Sequence, residues 1–173
     1  MLSIYLLCKG TSSAIGVNIT CDSYLELYVD GKPLGGGATH VTSKGFLVYK
    51  IMPGSHVVAL SCKASAPPWR GGILGSFENG LVTDISWKCI TTAAYGWNMR
   101  TYRDDDWPMA KHYGPNNNSA FPWGGISSID EKAVWIWSSN NTKDTEVYCR
   151  HNLVVPCTEG KLLALQCVHC KLR

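Results

Sequence analysis

An all-β fold, a sandwich or barrel of short antiparallel strands, is what this sequence predicts, and three observations carry the prediction. Strand-length runs of β-branched and aromatic residues recur along the chain. Turn signals built from Gly, Pro, Asn and Asp separate them, and no stretch of useful length repeats at the helical period. Composition agrees: charged residues make up 17%, while seven Trp and eight Tyr sit among abundant Gly and Ser. The 173 residues suit one domain able to bury its own core.

Each element has its own warrant. Met1–Leu7 is a short apolar run without a basic flank or a cleavage site, so it reads as a strand of the mature domain or as a start downstream of a missing leader. Val17–Thr20 and Tyr24–Val29 read as strands. In the second, Leu25, Leu27 and Val29 share one face while Tyr24, Glu26 and Tyr28 share the other. Asp30-Gly31 then turns the chain as a hairpin. Phe46–Ile51 alternates and closes at Pro53-Gly54, and Val57–Cys62 is continuously apolar, as a strand buried on both faces requires. After the loop Pro67-Pro68-Trp69-Arg70-Gly71-Gly72, strands are expected at Ile73–Phe77, Leu81–Ile85 and Ser86–Ile90. The stretch 93–125 is irregular. Ala133–Trp137 is a clear strand, with Val147–Arg150 as its expected hairpin partner.

A formal charge of +3 with no basic run argues against a nucleic-acid partner. No stretch approaches the ~20 apolar residues of a membrane span. Eight cysteines (Cys8, Cys21, Cys62, Cys89, Cys149, Cys157, Cys167, Cys170) and three N-x-[ST] sequons, at Asn18, Asn117 and Asn140, together point to an oxidising, secreted setting. Structural disulfides are favoured over zinc, since Cys167-x-x-Cys170 is a lone pair of that spacing. The pairing is not deducible from spacing. The division expected is a sandwich over residues 1–150 and a Cys-rich extension, 151–173, stapled back onto it.

Several phrases then line up with one family. Ile19–Lys32 resembles the opening of galactose-binding-like jelly rolls, the accessory modules of α-rhamnosidases and β-galactosidases. Gly71–Gly75 and Asp84–Lys88 are similar to later phrases of that family. So are Gly96-Trp97 with Tyr102–Trp107 and Ala110, and Ala133–Trp137 with Val147–Arg150. The resemblance covers roughly 17–150 and implies a jelly-roll β-sandwich of two antiparallel sheets. Cysteines at 21, 62, 89 and 149 depart from the pattern, and the catalytic domains of those enzymes are absent.

Catalysis finds no support in the residues. Asp104, Asp105 and Asp106 are adjacent, so their carboxylates diverge instead of flanking a bond; they read as an Asp-rich turn capping backbone N–H groups. Calcium is the sharper alternative there, weakly supported, and no other cofactor is expected. The five histidines are scattered. Among the tryptophans, Trp87, Trp107, Trp135 and Trp137 read as core. Trp69 beside Arg70 in a rigid loop has the chemistry to stack on a pyranose and donate to its hydroxyls, with Trp97 and Trp123 as further ligand candidates. The function expected is therefore a secreted, non-catalytic, lectin-like module binding glycans or glycoproteins at a loop-built end. A structural extracellular building block, assembling with itself or with other proteins, is the rival.

Overall fold

The structure is a computed structural model, and it describes residues 13–39, 44–64, 70–120 and 122–156. The expected strand at Met1–Leu7, the loop residue Trp69, and Cys8, Cys157, Cys167 and Cys170 lie outside these residues.

Ten strands form two antiparallel sheets: β1 (Ser13–Cys21), β2 (Tyr24–Val29), β3 (Lys32–Ala38), β4 (Lys44–Ile51), β5 (Gly54–Lys63), β6 (Ile73–Phe77), β7 (Lys88–Ile90), β8 (Lys111–Pro115), β9 (Val134–Trp137) and β10 (Glu146–Val155). One sheet has the order β4-β1-β6-β9-β8 and the other β3-β2-β5-β10-β7. Every connection except β2–β3 and β8–β9 passes from one sheet to the other, the winding of a jelly roll. Among the described residues there is no helix.

Alternation builds the core. Ile15, Val17 and Ile19 of β1 face Leu25, Leu27, Val58 and Leu60 of the opposite sheet, and all are buried. Asp30 and Gly31 take φ of +50° and +80°, the pair of left-handed residues that a two-residue hairpin between β2 and β3 requires. The Gly71-Gly72 pair lets indoles press onto backbone. A Cβ at Gly71 would collide with the Trp137 ring, and one at Gly72 would lie 2.6 Å from Trp123.

Cys21 and Cys62 join β1 to β5 across the core, while Cys89 and Cys149 are directly opposed neighbours on β7 and β10. Closing loops of 41 and 60 residues, each bridge stabilises by about 4 kcal/mol on the chain-entropy argument.

Three expectations are corrected. Val147–Arg150 is not the hairpin partner of β9: the two strands lie in different sheets, and β10 pairs with β5 and β7. The Leu81–Ile85 segment is not a strand: it runs beside β6 through the single bridge Ser76–Val82 and backbone bonds of Leu81 and Thr83 to Phe77 and Gly75, and the Thr83 hydroxyl accepts from the Gly75 N–H and donates to the Val134 carbonyl. Two strands, β3 and β8, form where Gly and Pro gave no strand signal. In addition, β10 runs unbroken past Arg150 to Val155, so residues 151–155 belong to the sheet.

Candidate functional site

The outer face of the β3-β2-β5-β10-β7 sheet is where strand register gathers polar and aromatic side chains. The pairing sets them in rows. Tyr24, Lys63 and Glu146 lie abreast, and next to them Glu26, Ser61 and Tyr148. Tyr28, Ala59 and Arg150 make the third row. These are the side chains that alternate with the core positions of the same strands.

A loop over residues 91–107 crosses this face and carries Trp97 to it. Its indole meets Tyr148 edge-on at 5.0 Å and Tyr28 at 5.7 Å, with interplanar angles of 72° and 79°. These are favoured geometries for aromatic pairs. Together with Tyr24, Glu26, Ser61, Lys63 and Glu146, the three rings line an open hollow of about 190 Å³. Tyr24 is 43% exposed, and Trp97, Tyr28 and Tyr148 are half-buried. The rings therefore stay partly accessible to a ligand.

What holds the loop is Arg150. Only 2% exposed, it stands on β10 beneath the loop. Its Nε donates to Asp104 Oδ2 at 2.9 Å, and its Nη groups donate to the carbonyls of Trp97, Met99 and Tyr102. The guanidinium also lies 5.2 Å from the Tyr102 ring centre. Asp104 takes a second cation, Lys88 Nζ, at 2.9 Å. A planar fork of fixed donors can tie several carbonyls at once, which a lysine cannot. The Asp-rich segment is thus corrected: the Asp104 carboxylate grips two cations instead of capping backbone N–H groups. Arg150 positions Trp97.

The tyrosines stay neutral. The Tyr28 hydroxyl donates to Glu26 Oε2 at 2.7 Å. Burial first, and then the Glu26 hydrogen bond and charge, push its pKa up to about 12. Burial and the neighbouring Glu146 raise Tyr148 as well. Both phenols remain hydrogen-bond donors at physiological pH.

The loop end chosen from sequence looks different. Arg70 is exposed there, and its carbonyl accepts from Trp123 Nε1 at 3.2 Å. Trp123 is buried, stacked on Trp135 with ring centres 4.8 Å apart, in a second cluster with Leu74, Ile126 and Ile129. That ring is core. Trp87, Trp107, Trp135 and Trp137 are buried as expected, and the Nε1 groups of Trp87, Trp135 and Trp137 donate to backbone carbonyls. The structure therefore does not bring Trp97 and Trp123 to one place. The sequence signal for the sheet face was the Tyr24-x-Glu26-x-Tyr28 alternation, which reads equally as an ordinary solvent face.

A larger hollow, about 720 Å³, opens between Asn116–Asn118 and Gly125–Lys132. Besides Ile126 and Ile129 it is lined by amide, hydroxyl and charged groups, with no aromatic ring to stack on a sugar. A serine–histidine pair also occurs, Ser86 Oγ 3.0 Å from His151 Nε2. Asp84 Oδ1 competes for that hydroxyl proton, and His151 Nδ1 meets the Asn152 carbonyl at 2.6 Å. A neutral carbonyl orients an imidazole without the charge that steadies an imidazolium in a hydrolytic triad. No cluster of three metal-ligating side chains exists among the described residues.

No protein-family model matches the chain, and no curated protein matches it by sequence. Among solved structures, it is similar to a lectin from Pleurotus ostreatus, described in complex with GalNAc. The two are 16% identical with a TM-score of 0.55, over 88% of this chain and 66% of that one. The apo form of Pleurotus ostreatus lectin aligns at 15% identity and a TM-score of 0.43, over 85% of this chain and 64% of that one. The chain thus spans just under two thirds of the lectin's length, and the likeness is one of fold.

Proposed function

We propose that this protein is a secreted, non-catalytic carbohydrate-binding module of lectin type, which recognises glycans on the outer face of the β3-β2-β5-β10-β7 sheet. One observation carries the reading: Trp97, its carbonyl held by Arg150, packs edge-on against Tyr28 and Tyr148, beside two carboxylates, on a face that stays open. Aromatic rings stack on the C–H faces of pyranoses, while Glu26, Glu146, Ser61 and the phenols exchange hydrogen bonds with ring hydroxyls. The similarity in fold to a lectin crystallised with GalNAc supports the same class of ligand. So does the jelly-roll resemblance of the sequence to accessory modules of glycosidases. Arg70, with Trp69, remains a second contact site in this proposal.

Secretion rests on the Cys21–Cys62 and Cys89–Cys149 bridges and on the sequons. Asn117 is exposed, and in it and Asn140 the side-chain oxygen already accepts from the hydroxyl two residues on, Ser119 and Thr142. A hollow of about 190 Å³ is small beside ordinary ligand pockets of roughly 300–1,000 Å³. Single-site affinity is therefore weak, and several copies are needed for firm attachment. The test is a glycan array probed with protein multimerised on a streptavidin scaffold. Binding to a defined set of glycans is the expected result. A blank array together with ordered self-assembly in solution would instead favour the structural, protein–protein role.

A further inference from the structure

We infer that the groove beneath Trp97 prefers sugars bearing a protonated amine, the unacetylated hexosamines, over uncharged sugars, and that it rejects acidic ones. This rests on the carbohydrate reading above. The lining residues bring Glu26 and Glu146 together with a single cation, Lys63. Lys63 reaches Glu146 only at 4.0 Å and is 61% exposed, so it is a loosely held partner that solvent screens. The hollow is therefore locally negative, although the whole chain carries a formal +3.

The rings reinforce the sign. Tyr24, Tyr28, Tyr148 and Trp97 line the same hollow, and the faces of such rings attract cations. Tyr28 and Tyr148 are kept as neutral phenols beside Glu26 and Glu146, so at neutral pH they contribute ring faces and O–H donors and no charge of their own. An ammonium substituent on a stacked pyranose meets a carboxylate and a ring face together. A uronate or sulfate in the same place faces two carboxylates. By contrast, an N-acetyl group presents neither charge, so its binding relies on stacking and hydroxyl contacts alone.

The experiment compares three soluble oligosaccharides of equal length by intrinsic tryptophan fluorescence or calorimetry: a glucosamine oligomer, its fully N-acetylated counterpart, and an oligogalacturonate. At low salt and pH 5.5, where the amines are protonated, the glucosamine oligomer should bind about tenfold more tightly than the N-acetylated one. That gap matches one exposed ion pair plus one cation–π contact. The oligogalacturonate should not bind. The gap should close toward 0.5 M NaCl, shrink in E146Q and in E26Q, and widen in K63E. Equal binding of the charged and N-acetylated oligomers, or a gap indifferent to salt and to all three substitutions, would overturn this preference and leave the carbohydrate reading standing. Failure of all three to bind would overturn this preference, and it would remove the carbohydrate reading as well only if the multimerised protein also left the glycan array blank.

Discussion

The two outer faces of this sandwich are each crossed by a long loop bearing tryptophan, and they end in opposite states. Over the β4-β1-β6-β9-β8 sheet, residues 116–133 press Ala120, Trp123, Ile126 and Ile129 onto Leu74 and Trp135 and seal them. Asn116 ties that loop from within, its amide donating to the carbonyls of Ile126 and Ile129 and accepting from the Ile126 N–H. Over the other sheet, residues 91–107 are tied by a charged hub, Arg150 with Asp104 and Lys88. The loop there covers Ala59 and Arg150 and rests Trp97 against Tyr28 and Tyr148, but leaves the hollow beside Tyr24 and Glu26 open. Burial decides what an indole is for. Apolar surroundings on both sides make it core; a polar tether leaves it as an accessible platform.

The largest effect is expected on the sealed face. Trp135→Ala should cost about 3–5 kcal/mol of stability, the usual range for deleting a buried aromatic, as read by urea unfolding. A cost under about 1 kcal/mol would mean that this loop packs less tightly than described. On the tethered face, Arg150→Met leaves three carbonyls and Asp104 without their donor, and a loss of about 2–4 kcal/mol is expected. Because the tether sets where Trp97 stands, its tryptophan fluorescence should shift to longer wavelength. Arg150→Lys should restore the charge without restoring the emission, since one ammonium cannot reach all those acceptors. Full rescue by lysine would show that charge alone is enough.

A smaller effect separates the two phenols from their surroundings. Tyr28 titrates near 12 when folded and near 10 when unfolded. The folded state thus holds its proton more tightly. Its contribution to stability is complete below pH 10 and drains away as pH rises through 12. Ultraviolet titration should show a late-ionising tyrosine that moves earlier in Glu26→Gln. The move should be partial, because burial, the larger cause, stays in place. An unchanged late phase would mean that Glu26 has no hold on that hydroxyl.

Much of the sandwich could be read directly from local pattern. The bounds of β2 follow from Tyr24–Val29, whose period of two is uninterrupted, and β6 is equally plain. By contrast, β3 holds Pro33 and three consecutive glycines, and β8 contains Gly114 and Pro115. Both are strands because a neighbour supplies the ladder, as β2 does for β3 and β9 for β8. Strand propensity is context first. The groove was hidden for the same reason. Trp97 and Tyr148 are 51 positions apart in sequence, and Arg150 finds Asp104 across 46. No local window joins such residues. Trp123 shows the converse: its irregular neighbourhood suggested exposure, yet it stacks on Trp135 and packs close against Gly72.

Binding by Trp97→Ala and Trp123→Phe, measured side by side on the glycan that wild type captures best, tests the division between the faces most directly. Trp97→Ala should lose at least about tenfold in affinity, or 1.4 kcal/mol, with its melting temperature changed by only a few degrees, while Trp123→Phe should melt earlier and bind as wild type does. Undiminished capture by Trp97→Ala, with binding abolished instead in a folded Trp123→Phe, would contradict the assignment of recognition to the tethered face.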